Sequence, residues 1–208
     1  MQRPSITKGA AMRRASLILS TVLLASACHN DATAPVPTLV GRVMNPAIGR
    51  LVGILLYARR TTLAAVEGMS VAELDHLQDP SSNSIGALLA HIAVVERSYQ
   101  ILTFESRRPT ELETAALEPA LTLGDEGRRL LKGKPLEHYV HELSEARRVT
   151  LEDLAARDDE WLDRQLIAAP AMNAHFAWFH TAEDEINHRG QIRWLRKRLI
   201  TPLPHSQL

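Results

Sequence analysis

The 208 residues include 24 basic and 24 acidic side chains, so the chain carries no formal net charge. Because it has no basic stripe that would bind a phosphate backbone, nucleic acid is not expected as a partner. The single cysteine, Cys28, excludes an intramolecular disulfide and a cysteine-based zinc cluster. Leu and Ala are abundant and β-branched runs are rare, a composition that favours helices over sheets.

The N-terminal segment has the pattern of an export signal. Arg13 and Arg14 precede an apolar run at residues 15–27, and small residues lead up to Cys28. This run is too short to cross a bilayer as a helix, which needs about 20 residues, but it suits the apolar part of a secretory signal. Residues 1–28 are therefore predicted to be a signal peptide.

The residues that end at the cysteine, Leu24–Cys28, resemble a bacterial lipoprotein box, with Ala25 at the place where that box usually has leucine. The resemblance implies that Cys28 is lipidated and that the protein is exported to the cell envelope, with the lipid anchor as its sole membrane contact. Residues 29–43, which are polar and rich in Ala and Pro, would then be a flexible tether. Two alternatives stay open: an exported protein without the lipid, and a cytoplasmic protein translated from Met44.

Residues 44–200 are predicted to contain four long helices, because apolar residues recur there at helical spacing between recognisable start and stop signals. The predicted helices are Asn45–Glu67, Ser84–Phe104, Leu136–Leu162 and Ala174–Leu199. The connection between the second and third, residues 108–133, is expected to be partly helical, at Glu111–Leu117 and Asp125–Leu131. The pattern predicts an all-α four-helix bundle with one long crossover, followed by a tail at residues 201–208.

Ligand-type side chains occupy helix faces that must be buried. In the fourth helix, Asp184 and His188 lie about 40° apart on the helical wheel and share a face with Leu195; in the second, His91 shares a face with Val95. An ionised carboxylate is costly to bury alone, so it normally neutralises, pairs or binds a metal. Three nitrogen and oxygen ligands with open positions are typical of a catalytic metal site, and this set suits Zn, Ni, Fe or Mn.

Simpler interpretations of the same residues remain open. His91 could be a hydrogen-bonded core histidine, and Asp184 with His188 could be a buried ion pair without a metal. Glu185 is an alternative carboxylate ligand, although the charged run to which it belongs is of a kind that usually faces solvent. Two further histidines, His138 and His141, fall on the polar side of the third helix and are interpreted as solvated.

Several neighbours of the predicted ligands are candidates for supporting roles. Gln191 lies near the ligand face, so it could orient a ligand or contact a substrate, and Arg189 flanks the same site. His180, at the edge of that face, is a candidate fourth ligand or proton shuttle. Gly190 costs helix stability in a mid-helix position, so close helix packing could explain it. Ordinary packing is the alternative for Gln191 and Arg189, and a boundary position for His180.

Two segments carry a family resemblance. Residues Asn83–Ile92 and Asp184–Ile192 resemble the second-helix and last-helix motifs of the DinB-like family, and the resemblance extends over about residues 44–200. It implies an up-down-down-up four-helix bundle, often a homodimer, that holds a divalent metal on three histidines. His91 and His188 match two of these ligands, and Asp184 stands in the third place, where it keeps a ligand and adds a negative charge.

The resemblance also implies a set of functions. Relatives in the DinB-like family include thiol transferases and metal-dependent hydrolases, so the chain is expected to be one of these, acting on a small-molecule substrate that the sequence does not name. The predicted export signal favours hydrolysis, since low-molecular-weight thiols are chiefly cytoplasmic. The alternative is a non-catalytic envelope protein that binds a metal or a small ligand. No separate nucleophile is visible in the sequence, so the catalytic residues stay unassigned.

Overall fold

The computed structural model describes residues 45–200, except for the side chain of residue 200. The predicted signal peptide, Cys28, the tether, Met44 and the tail lie outside these residues. None of the described helices combines the length and the apolar character that a bilayer span requires. The elements are α1 (Pro46–Val66), α2 (Val71–Asp75), α3 (Ile85–Thr103), α4 (Glu111–Thr122), α5 (Gly124–Leu130), α6 (Leu136–Leu154), α7 (Asp159–Leu162), β1 (Gln165–Leu166), β2 (Ala169–Asn173) and α8 (Ala174–Ile200).

The four long helices are α1, α3, α6 and α8, and the predicted all-α class is confirmed. The third helix ends eight residues earlier than predicted, at Leu154, and is followed by α7 and an antiparallel β1–β2 hairpin. Asp158 starts α7 because its carboxylate accepts a hydrogen bond from the Trp161 amide at 2.8 Å. The Asp159 carboxylate accepts bonds from the amides of Ala47 and Ile48, so it caps the first turn of α1. A long-range cap of this kind leaves no trace in the local periodicity.

Contacts between the helices define their directions. Thr61 accepts a hydrogen bond from Arg189, and Ala65 accepts one from Arg196. Because the contacts follow the same order along the two helices, α1 and α8 run parallel. By the same test α3 runs parallel to α6 and antiparallel to α8, which confirms the up-down-down-up order. The contacts that establish this are Arg97–Glu142, Gln100–Ala146, His91–Asp184 and Tyr99–His180.

The bundle core consists of two apolar clusters with a layer of buried charge between them. Each long helix passes from one cluster to the other, and at the crossing point each contributes one charged residue that is at most 6% exposed. We call these four residues the charged quartet: Arg59 of α1, Glu96 of α3, Arg147 of α6 and Glu185 of α8. The sequence left Glu185 open as a metal ligand, and the structure places it in this quartet instead.

The charged quartet carries no net charge, and its members are hydrogen-bonded to one another. Each arginine binds both glutamates, with nitrogen–oxygen distances of 2.7–2.9 Å for the four shortest pairs. The two guanidinium groups also donate across to backbone carbonyls, Arg59 to Leu143 on α6 and Arg147 to Leu55 on α1. Burial raises the pKa of Glu96, but the charges of Arg147 and Arg59 lower it more, so the net pKa lies below its usual range. Glu96 therefore stays ionised inside the core.

Two helical glycines differ in the space around them, which gives a test of the packing. A Cβ on Gly86 would lie 2.7 Å from Tyr139 Oη, whereas one on Gly53 would meet nothing within 4 Å. Gly86→Ala is expected to lower the free energy of unfolding by about 1–3 kcal/mol, and Gly53→Ala to raise it by about 0.5–1 kcal/mol. Urea denaturation measures both. Adding Tyr139→Phe should recover part of the Gly86→Ala loss, and no recovery would contradict the assigned clash.

Candidate metal centre

Three ligand-type side chains from α3 and α8 converge as the sequence predicted. Nε2 of His91 and Nε2 of His188 lie 3.5 and 3.3 Å from Asp184 Oδ1, and one ligand atom of each residue lies within 4.8 Å of the others. The three side chains are 13–14% exposed, so they are largely buried yet reachable from solvent. The imidazole rings meet edge to face, with centroids 4.7 Å apart.

Local structure explains this convergence. On α8, Asp184 and His188 are four residues apart, and a helix places such side chains one turn apart on one face. On α3, Ser84 caps the first turn by accepting a hydrogen bond from the Ala87 amide at 3.1 Å, which fixes where the helix starts and which face His91 occupies. Antiparallel packing of α3 against α8 then brings His91 opposite the pair.

Each histidine is oriented by a hydrogen bond from its other ring nitrogen. His91 Nδ1 lies 2.7 Å from the carbonyl oxygen of Ala120, and His188 Nδ1 lies 3.3 Å from Gln191 Oε1. Because both partners are carbonyl oxygens, each Nδ1 carries the proton and donates. In the neutral imidazoles, each Nε2 therefore carries a lone pair that faces the Asp184 carboxylate. Histidine ligands of metals usually have this arrangement.

The three ligand atoms fit a divalent cation. The two Nε2 lone pairs and Asp184 Oδ1 are all acceptors that face one another, and Asp184 Oδ2 is buried without a hydrogen-bond partner. Buried acceptors without a donor are destabilising. One metal ion would satisfy all three residues, and in its absence added protons on the imidazoles would do so. Either a divalent cation or these added protons would therefore complete the site.

A comparison with protein families agrees with this geometry. A family model described as mycothiol S-transferase matches residues 50–200. The chain belongs to the mycothiol S-transferase family. This family is DinB-like, so the resemblance seen in the two helix segments is confirmed. No curated protein matches the chain.

The charges at the centre shift the pKa values of its residues in this member of the mycothiol S-transferase family. Burial raises the pKa of Asp184, but its contacts with His188 and His91 lower it more, so the net pKa lies far below its usual range. Burial lowers the pKa of His91, but Asp184 and the Ala120 carbonyl raise it, and the net pKa lies above its usual value. Burial and the Asp184 charge both raise the pKa of Tyr99.

The depressed pKa of Asp184 predicts an acid-sensitive contribution to stability. Since the folded-state pKa lies below the unfolded value of 3.8, this contribution is present above that value and is lost as the pH falls through the folded-state pKa. We expect Asp184→Asn to destabilise the metal-free protein at about pH 6, and this difference to shrink towards about pH 3. Urea midpoints in the presence of a chelator measure it. Replacement of the exposed Asp163 by asparagine is the control. If the difference in stability between Asp184→Asn and the unmodified protein stays constant with pH, the prediction is contradicted.

The candidate supporting residues lie in three different places. Gln191 contacts His188 directly, as described above, which suits its predicted supporting role. Arg189 points towards α1, where it donates to Thr61 and lies over the Tyr57 ring at 5.6 Å. His180 Nδ1 lies 3.1 Å from Tyr99 Oη, and no hydrogen bond or ion pair joins His180 to the three candidate ligands. The roles of Arg189 and His180 in catalysis stay predictions.

Other expectations from the sequence have mixed outcomes. His138 and His141 are exposed, as predicted. Close packing does not explain Gly190, because a Cβ there would meet nothing within 4 Å. The Ala120 carbonyl was not predicted from the sequence as a partner of His91. It belongs to the last turn of α4, where carbonyls lack intrahelical partners, but the predicted helix in this region ended at Leu117, so nothing marked that carbonyl as free.

Proposed function

We propose that the protein is a metal-dependent S-transferase that joins a small thiol to an electrophilic substrate. Two facts support this proposal together: the chain belongs to the mycothiol S-transferase family, and one ligand atom each from His91, Asp184 and His188 converge within 4.8 Å of one another. The second observation carries the mechanism, because two imidazoles and a largely buried carboxylate form a ligand set that suits a divalent cation.

In this proposal the three side chains hold one divalent ion. A divalent ion held there would lower the pKa of a thiol sulfur bound to it and keep that sulfur as a nucleophilic thiolate. His91 and His188 present Nε2 because the Ala120 carbonyl and Gln191 hold their Nδ1 protons. Asp184 supplies the only negative charge of the set, which strengthens the attraction for a cation.

The transfer reaction balances without a nucleophile from the protein. The thiol loses its proton to solvent, its sulfur forms a bond to an electrophilic carbon, and the leaving group departs with the electron pair of the broken bond. The role of the chain is to place the two reactants together and to exclude competing water. This agrees with the sequence, in which no separate nucleophile was identified.

The metal proposed for this site is Zn, Ni, Fe or Mn. Compared with three imidazoles, the carboxylate lowers the net charge of the occupied site by one and adds a harder oxygen donor. Imidazole suits Zn, Ni and Fe, whereas carboxylate also suits Mn. Loading each metal separately, under reducing and anaerobic conditions for iron, would identify the one that supports turnover.

A second candidate function is metal-dependent hydrolysis of a small substrate in the cell envelope. The predicted export signal at residues 1–28 favours it, because small thiols are chiefly cytoplasmic. Under this alternative the same three residues hold the metal, and the nucleophile is water rather than a thiol. A non-catalytic binding protein is the outcome if neither reaction occurs.

The deciding experiment compares thiol-dependent and thiol-independent turnover. Protein loaded with each metal is mixed with 1-chloro-2,4-dinitrobenzene, with or without mycothiol, and the S-aryl product is followed by absorbance; ester hydrolysis is measured in parallel. We expect product only when the thiol is present, and its loss in His91→Ala but not in the exposed control His138→Ala. Hydrolysis without a thiol would support the second candidate, and metal binding without either reaction would support a binding protein.

A further inference from the structure

A cleft of about 620 Å³ opens beside the candidate metal centre. It lies between α8 and the segment that leads into α3. Its lining includes Asn83, Leu88, Gly190, Gln191 and Trp194. The local sequence pattern gives no sign of this cleft, because the lining comes from segments about 100 residues apart.

The cleft adjoins the metal centre through one residue. Gln191 lines it, and the same side chain accepts the hydrogen bond from His188 Nδ1 at 3.3 Å. A molecule that lies in the cleft therefore contacts the group that orients one of the candidate ligands. This neighbourhood suits a substrate that must meet a nucleophile held at the centre.

The chemistry of the lining selects the kind of molecule. No charged side chain is among the lining residues, and their polar groups are amides and a hydroxyl. The half-exposed indole of Trp194 supplies apolar surface, and the guanidinium of Arg198 stacks on that indole with its carbon 3.6 Å from the ring centroid.

We infer that this cleft binds the electrophilic substrate of the transfer, and that this substrate is an uncharged, largely apolar molecule with a planar ring. The ring packs against the half-exposed indole of Trp194. An anionic substrate is disfavoured because none of the lining residues is cationic, and the neighbouring guanidinium of Arg198 is stacked on the Trp194 indole rather than placed in the lining. The assignment of the bound molecule as the electrophile rests on the proposed function.

The chain offers a matched pair of variants to test this. Gly190 lines the cleft on α8, and Gly53 lies in the exposed face of α1; both are mid-helix positions with nothing within 4 Å of an added Cβ. Leucine at either position should therefore fold without a clash, but only Gly190→Leu places a side chain at the cleft. Neither residue is a candidate metal ligand.

The probe is 2,4-dinitroaniline, a neutral ring with an amino donor and no leaving group, so binding is measured without reaction. Nitroaromatic quenching should report mainly on Trp194, because it is 48% exposed whereas Trp161 and Trp178 are 5% and 0% exposed. Titration calorimetry gives the affinity independently. We expect saturable binding that weakens about tenfold or more in Gly190→Leu, remains unchanged in Gly53→Leu, and is much weaker for the anionic analogue 2,4-dinitrobenzenesulfonate.

Metal binding, measured on the same variants, separates this inference from the proposed function. Both leucine variants should bind a divalent ion as the unmodified protein does, which shows that the fold and the centre are intact. Dinitroaniline binding in a protein that takes up no metal would leave the cleft assigned and overturn the S-transferase proposal. Metal uptake without saturable dinitroaniline binding, equal affinity for the sulfonate, or equal effects of the two leucines would overturn the inference.

Discussion

Replacing Arg147 by methionine is expected to lower the free energy of unfolding by about 3–5 kcal/mol. The side chain is 4% exposed and binds both Glu96 and Glu185. Without it the two carboxylates would share Arg59 alone, and one negative charge would stay uncompensated in the core. Removing one partner of a buried ion pair costs far more than the pair contributes against an apolar replacement, because the remaining charge has lost its water.

The next residue provides the control. Arg148 lies on the same helix and pairs with Glu145 and Glu152, but its side chain is 52% exposed. Exposed ion pairs contribute little, so Arg148→Met should leave the free energy of unfolding nearly unchanged. Urea denaturation of both variants, with a chelator present to remove any metal, measures the difference. Similar losses in the two variants would mean that the charged quartet is not the source of the effect.

A combined replacement tests whether the charge or the shape of the quartet matters. Changing Arg59 and Arg147 to methionine, and Glu96 and Glu185 to leucine, removes all four charges together. Since no unpaired charge remains, this variant should be more stable than Arg147→Met alone. If it is less stable, the hydrogen bonds of the quartet contribute more than the cost of burying its charges.

The sequence predicted the four long helices because each carries apolar residues at helical spacing over four turns or more. It also predicted the candidate centre, since two ligand types four residues apart on an apolar face are a local pattern. The boundary at Leu154 could not be predicted in the same way. Beyond it the chain brings Asp159 to the start of α1, a contact with residues more than 100 positions away that local periodicity does not contain.

The charged quartet shows where local patterns fail. Glu185 lies between Asp184 and Ile186, in a run of charged residues that resembles a solvent-facing surface. Its partners are 38–126 residues away along the chain, so no helical wheel of α8 contains them. A signal did exist: Arg147 lies in line with Leu143 and Leu151, which are buried at the same spacing. Charged residues on apolar faces of several helices, in equal numbers of each sign, would have indicated a buried network.

The metal affinity of the centre should fall steeply when a proposed ligand is removed. We expect the protein to bind one divalent ion per chain, and His91→Ala and Asp184→Ala to lose more than the roughly 10- to 100-fold that follows loss of a supporting hydrogen bond. Gln191→Leu, which removes only the acceptor that holds His188 Nδ1, should fall within that range. Competition with a chromophoric chelator, followed by elemental analysis, measures these affinities.

Asp184→His gives the sharpest version of this test, because it converts the site to the three-histidine set that the family resemblance implies. If the three residues form a metal site, the variant keeps a ligand at this position and should bind a divalent ion far more tightly than Asp184→Ala. If they form only a buried ion pair, a third imidazole supplies no negative charge for the other two. Asp184→His should then bind a divalent ion no more tightly than Asp184→Ala does. Unchanged metal binding in His91→Ala, relative to the exposed control His138→Ala, would exclude the centre as the binding site.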